Sequence, residues 1–186
     1  NRSAGTRRVT AALNLSQGDL RLRVTPPGSN PRDVRDVVIA CGDRPSADLA
    51  AGQSMEGVAQ VFYTTAGRTF RQTGRYYVSA ELDTGESGFV QSDPIEVVVR
   101  APLTDEEREI SQLMMDEGVA RSLALGDFGF NAETRRKLET LAENYGETTS
   151  GTAAALVLAN SLLRPLRNLR TGKIARKAEP ERGRQA

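Results

Sequence analysis

Histidine is absent from all 186 residues. That removes the commonest general base, the commonest zinc ligand and every His-dependent triad, and leaves proton chemistry to Lys, Glu, Asp or Tyr. The single cysteine, Cys41, excludes an internal disulfide and a thiolate metal cluster. Set in the apolar run DVVIACGD, it reads as a small buried hydrophobe, compatible with either redox compartment. The longest uncharged apolar run, GTAAALVLANSLL from Gly151 to Leu163, has 13 residues, against the roughly 20 that cross a bilayer. No membrane span is expected. No secretory leader is visible, and an opening on Asn1 rather than Met is expected of a processed or trimmed piece.

What is present describes a soluble globular chain with room for one medium or two small domains: 38% apolar and 26% charged residues. The net charge of +1 hides an uneven distribution. Residues 1–101 carry 12 basic and 11 acidic side chains, residues 102–169 carry 7 and 11, and residues 170–186 carry 6 and 2. The pattern of the sequence changes at the same boundaries.

The first hundred residues follow a period of two. In DLRLRVTPPGS, Leu20, Leu22 and Val24 alternate with Arg21, Arg23 and Thr25, and a Pro-Pro-Gly turn ends the strand. VRDVVIACG is a shorter, more uniformly apolar run that suits a strand covered on both faces. In SMEGVAQVFYTTAG, Val58, Gln60 and Phe62 alternate with Ala59, Val61 and Tyr63. FRQTGRYYVSAELDTGESG puts Tyr76, Val78, Ala80 and Leu82 on one face, with Tyr77, Ser79 and Glu81 on the other. DPIEVVVRAP aligns Ile95, Val97 and Val99, with Pro94 at the strand entrance, where a missing backbone donor does least harm. Short strands at such spacing predict an antiparallel sandwich over residues 6–100. Its expected core is Leu20, Leu22, Val24, Val38, Phe62, Tyr76, Val78, Val97 and Val99.

The order DLRLRVTPPG, LAAGQSM, TGRYYVSAEL and SDPIEVVV resembles the immunoglobulin-like or fibronectin-type-III-like domains of bacterial extracytoplasmic proteins. The resemblance covers residues 1–101 and implies a scaffold, with an extracytoplasmic location. It also implies that Tyr76 is the buried tyrosine at the turn into the penultimate strand, its hydroxyl bonded to nearby backbone. Tyr77 is then left to packing or contact. Such domains begin with a strand that ends in an Asn-Arg-Ser-like turn, and here NRS comes first. The resemblance therefore implies that the first strand lies upstream, leaving a sandwich edge open to β-augmentation by another chain.

From Pro102 the period becomes helical. TDEEREISQLMMDEGVARSLALGDF opens with a capping box, Thr104 and Glu107, and acids in the first turn suit the helix dipole. Ile110, Leu113, Met114 and Leu123 form its stripe. An Asn131 cap starts a second helix with Leu138, Leu141, Ala142 and Tyr145 inward, stopped at Gly146. A third, GTAAALVLANSLLRPLRNL, is kinked or ended near Pro165. The second and third, with Ala154, Leu158 and Ser161, resemble one tetratricopeptide hairpin over residues 135–168. A single hairpin lacks the concave groove of a repeat array, which implies a packing unit. The fold class expected is thus α+β and multidomain: a sandwich at 1–101, a three-helix unit at 102–169 and a basic disordered tail at 170–186.

Chemistry-bearing motifs are few. The acidic cluster after Thr104 reads as dipole-satisfying rather than metal-binding. The triplet Asp127-Phe128-Gly129 copies a kinase motif without a glycine-rich loop or a His-Arg-Asp. GQSMEG around Ser54 lacks the base of a serine hydrolase. DTGESG, Asp83 to Gly88, reads as a solvated hairpin turn rather than a calcium loop. TTSGT lacks the Gly-Lys of a phosphate loop. No catalytic, cofactor-binding or metal-binding residue is assigned, and no cofactor is expected. The reading that fits is a non-catalytic scaffold or protein-interaction module within a larger protein. The alternative is binding of nucleic acid or an anionic membrane surface through the tail TGKIARKAEPERGRQA, whose cations attract phosphates.

Overall fold

The structure, a computed structural model, describes residues 1–11, 13–37, 45–85, 88–129, 131–167 and 173–183. The chain is mixed α+β and divides into two compact units, Asn1–Ala101 and Pro102–Ala186.

The first unit holds β1 (Arg7–Thr10), β2 (Leu20–Thr25), β3 (Arg32–Val34), β4 (Ser46–Leu49), β5 (Tyr63–Thr64), β6 (Gly67–Arg68), β7 (Gly74–Asp83), β8 (Phe89–Gln91) and β9 (Ile95–Val99). Its main sheet is five-stranded and antiparallel, with β7 at the centre. One side of β7 pairs with β2 along its length, from Leu20 opposite Leu82 to Thr25 opposite Tyr77, and β3 follows outside β2. The other side is shared: β9 runs along Gly74–Val78 and β8 along Glu81–Asp83. Smaller antiparallel pairs are β1 with β4 and β5 with β6.

The period-two strands come out in the expected register. Leu22, Val24 and Tyr76 are buried, with Leu20, Val78, Val97 and Val99 half-buried against the same cluster. Tyr76 is 1% exposed and Tyr77 44%, so the faces of β7 fall as the alternation requires. Ile95 does not follow its strand: it lies on the inner face yet is 63% exposed.

Three further expectations for this unit need correction or lie beyond reach. The stretch SMEGVAQVFYTTAG is not one strand; residues 53–61 enter no ladder, and only Tyr63–Thr64 and Gly67 pair, in the β5–β6 hairpin. Its inward side is Ala59 and Val61 rather than Val58 and Phe62. Val58 is almost fully exposed, and Gly57 sits so close to Leu13 that a Cβ there would collide with it. Of VRDVVIACG only Val34 lies in β3, whose other residues precede the run, while Val38 and Cys41 lie outside the described residues. Leu15, Ala59, Val61 and Phe70, all outside the strands, join the cluster of the main sheet.

Among the described residues, 102–169 form four helices rather than three, α1 (Asp105–Met114), α2 (Glu117–Leu125), α3 (Ala132–Asn144) and α4 (Thr149–Leu163), and the short α5 (Pro180–Gly183) follows. The helix expected over 104–125 breaks at Met115 because Asp116 is itself a cap: its carboxylate accepts from the Val119 amide at 3.1 Å. Thr104, Asn131 and Thr148 cap the other long helices in the same way. Glu107 departs from the capping box in one detail, reaching past Thr104 to the Leu103 amide at 2.7 Å. Arg164, before Pro165, is extended and ends α4.

The helical core is the expected hairpin with an addition. Leu138, Leu141, Ala154, Leu158 and Leu162 are buried, Ala142 and Tyr145 pack on them, and Val119 and Phe128 complete the cluster. Gly151 is required at the α3–α4 approach, since a Cβ there would overlap the Tyr145 carbonyl. The expected disordered tail is replaced over its described part by structure: β10 (Leu166–Arg167) pairs with β11 (Ile174–Arg176), and α5 packs on α4.

Candidate functional site

The residues that drew attention in the sequence are each occupied by the fold. The Tyr76 hydroxyl donates to the Gln72 carbonyl at 2.8 Å and accepts from the Gln72 amide at 3.2 Å. Its ring meets Phe70 edge to face, centroids 5.0 Å apart. Tyr76 is therefore a corner brace. Of the acids after Thr104, Asp105 pairs with Arg108 and Glu107 caps the chain. Among the described residues no group of His, Cys, Asp or Glu is arranged to hold a metal. In DTGESG the Thr84 hydroxyl and amide both bond the Gly88 carbonyl, closing the hairpin. Ser54 is exposed. Thr148 of TTSGT caps α4.

The Asp127-Phe128-Gly129 triplet and the basic tail turn out to be partners. Arg176 enters the helical unit, its guanidinium bonding Asp127 at 3.2 Å, the Gly129 carbonyl at 2.5 Å and the Ser161 carbonyl at 2.7 Å, over the Phe128 ring at 4.5 Å. Downstream, Glu179 pairs with Arg135 and Arg182, and Arg182 also with Glu139. Two cations counted toward phosphate binding, Arg176 and Arg182, are thus engaged within the protein. No local pattern announces this, because the partners lie 49 and 43 residues away.

A groove between α1 and α3, of about 640 Å³, is lined by Leu113, Met115 and Tyr145 with Glu109, Asp116 and Lys137. Its charged groups are internally paired: Lys137 reaches Asp116 at 2.5 Å, and Glu109 accepts from the Tyr145 hydroxyl. Burial alone would raise the Asp116 carboxyl, but Lys137 and the Val119 and Gly118 amides outweigh it and hold it below its ordinary value. Arg135 likewise lowers Glu179 against the opposing effect of burial. A carboxylate depressed in the folded state stabilises it above the unfolded pKa, and that stability is lost as pH falls through the folded value. The helical unit is therefore expected to weaken progressively below about pH 4. Asp116→Asn, which keeps a capping oxygen, should flatten that acid dependence. Thermal midpoints followed by circular dichroism at stepped pH check this; an equal slope in the variant would assign the loss to other carboxylates.

Among the described strands, β8 and β9 pair only with β7, leaving an apolar edge. Ala80 of β7 donates to the Ser92 hydroxyl and accepts from the Ser92 amide, both at 2.9 Å. On the opposite side, the Asp83 amide donates to the Asp19 carbonyl at 2.8 Å. Even-numbered residues of β7 thus direct their backbone groups toward β8 and β9, and odd-numbered ones toward β2. Ile95, Val97 and Val99, opposite Val78, Tyr76 and Gly74, are spent on β7. Glu96 and Val98 direct their N–H and C=O groups outward, and β9 pairs only with β7 among the described strands. Between Ser92 and Ile95 the edge chain advances three residues against two of β7, a bulge that accommodates Pro94.

Side chains along this edge are apolar and open. Phe89, Val90, Ile95 and Val98 are each more than half exposed. Glu96 is the one charge in β9, held by Arg75 at 3.2 Å and by the Tyr77 hydroxyl at 3.3 Å. By contrast β3, at the far edge, presents Arg32 and Asp33. Sequence reasoning found β9 but missed β8, although Phe89-Val90 between Gly88 and Ser92 carries a strand signal of only three residues. Comparison with known family models, with curated proteins and with solved structures gave no match.

Proposed function

We propose that the chain is a non-catalytic protein-interaction module of a larger bacterial extracytoplasmic protein. In this reading an immunoglobulin-like sandwich and a tetratricopeptide-like hairpin act as scaffold, and the β8–β9 edge accepts a strand from another polypeptide. The carrying observation is the outward backbone of Glu96 and Val98, flanked by exposed Ile95, Phe89 and Val90. Main-chain bonds would supply affinity there, and the apolar side chains would select the register. Support for the extracytoplasmic setting rests on the resemblance of residues 1–101. Engagement of Arg176 and Arg182 in ion pairs argues against the tail as a phosphate-binding arm.

An alternating Val-Thr peptide of about ten residues, a strand with its flanks, is expected to bind the protein. Val98→Pro should abolish binding, because proline removes an outward amide without touching the β7 ladder. Calorimetry with both proteins tests this. Absence of binding, or equal binding to Val98→Pro, would overturn the edge as the interaction surface.

A further inference from the structure

We infer that the edge takes a second copy of this chain, β9 against β9, antiparallel about a two-fold axis through Val97. This rests on the reading of the edge as an interaction surface and names its occupant. The outward groups belong to Glu96 and Val98, two residues apart. With Val97 on the axis, Glu96 of one copy lies opposite Val98 of the other, and each such pair exchanges both of its main-chain bonds. This register completes the hydrogen bonding of β9 and joins two five-stranded sheets into one.

Side chains fit the same register. On the inner face, Val97 meets Val97, and Ile95, exposed in the single chain, meets Val99 of the second copy. On the outer face Glu96 meets Val98, so no like charges stand opposite each other. The Glu96 carboxylate is already paired with Arg75, which offsets its diagonal approach to Glu96 of the second copy across the axis; its other diagonal neighbour is Arg100 of the second copy, opposite in sign. Within the strand there is no lysine and no inward charge, and both the proline and the bulge precede its start. An isologous contact of this kind uses up both edges and closes at two copies rather than growing a fibre. A five-residue ladder buries less than the roughly 1,200 Å² of a standard interface, so the dimer is weak and depends on concentration.

Sedimentation equilibrium of the full chain over a wide concentration range tests the inference. The weight-average mass should rise from 20.1 kDa toward twice that value. Val98→Pro should stay at the monomer mass, with an unchanged circular-dichroism spectrum showing that it folds. Two charge variants read the register without relying on proline. Val98→Glu places glutamate opposite Glu96 on both sides of the axis and should weaken association about tenfold or more. Val98→Lys places an attractive charge there and should associate at least as well as the native chain. A native mass that stays at the monomer value, or Glu and Lys variants that behave alike, would overturn the β9–β9 pairing. Such a result alongside Val-Thr peptide binding that Val98→Pro abolishes would reject the second copy and leave the strand-accepting edge intact. Loss of both would reject the two together.

Discussion

Tyr76→Ala is expected to cost the sheet unit about 3–5 kcal/mol, the range for removing a large aromatic from a packed interior. The side chain is 1% exposed, fills the cluster with Leu22, Val24 and Val34, and holds Phe70 edge to face. Its hydroxyl also satisfies both backbone groups of Gln72. Tyr76→Phe should therefore cost about 1–3 kcal/mol by itself, since it leaves a half-buried donor and acceptor unpaired while keeping the ring. The neighbouring Tyr77→Ala gives up only an exposed bond to Glu96 at 3.3 Å and should stay within about 0.5 kcal/mol. Urea unfolding of the three variants separates packing from hydrogen bonding at this corner. A large loss for Tyr77→Ala with a small one for Tyr76→Ala would invert the faces of β7.

That contrast shows what a period of two can carry. Alternation assigns faces, so Leu22, Val24, Tyr76 and Val97 could be placed inward from the sequence. It does not assign pairing. Residues 53–61 alternate as well as β9 does, yet enter no strand ladder, with Gly57 against Leu13 and Ala59 and Val61 against the sheet's core. β1 and β4, read as RRVT and SADL, hold too few apolar residues to announce strands; their order comes from pairing with each other across the chain.

The helical unit was more legible because caps and stripes are local. Thr104, Asn131 and the hydrophobic positions of α3 and α4 follow from spacings of three and four residues. The break at Asp116 was missed although Asp-Glu-Gly is a start signal, since the apolar stripe of Ile110, Leu113 and Leu123 continues across it. The order of residues 173–183 was missed for a different reason. Composition counts Arg176 and Glu179 as solvated charges, whereas their partners, Asp127 and Arg135, come from distant sequence and change both from surface groups into anchors. The edge proposed as the interaction surface falls between these cases. β9 was visible and its exposure was not, because uncovered apolar residues and core residues read alike until the neighbouring layer is known.

Leu141→Ala is expected to destabilise the helical unit by about 2–5 kcal/mol, in the upper part of that range. Leu141 has no exposed surface and sits in one cluster with Leu138, Val119, Val157, Leu158 and Leu162. The cost of such a truncation depends on how far the surroundings can close over the lost volume. Here they are held apart. Gly151 and Ala154 already bring α3 and α4 to close approach, with the Tyr145 carbonyl standing where a Cβ at Gly151 would sit. Arg176, tied to Asp127 and to the Gly129 and Ser161 carbonyls, fixes the Phe128 side of the same core. The cavity should therefore persist rather than collapse. Leu156, on the exposed face of α4, supplies the control: Leu156→Ala should change stability by no more than about 0.5 kcal/mol. Denaturant unfolding followed by the helical circular-dichroism signal measures both. A near-neutral Leu141→Ala would place this side chain at the surface and dismantle the packing of α3 on α4.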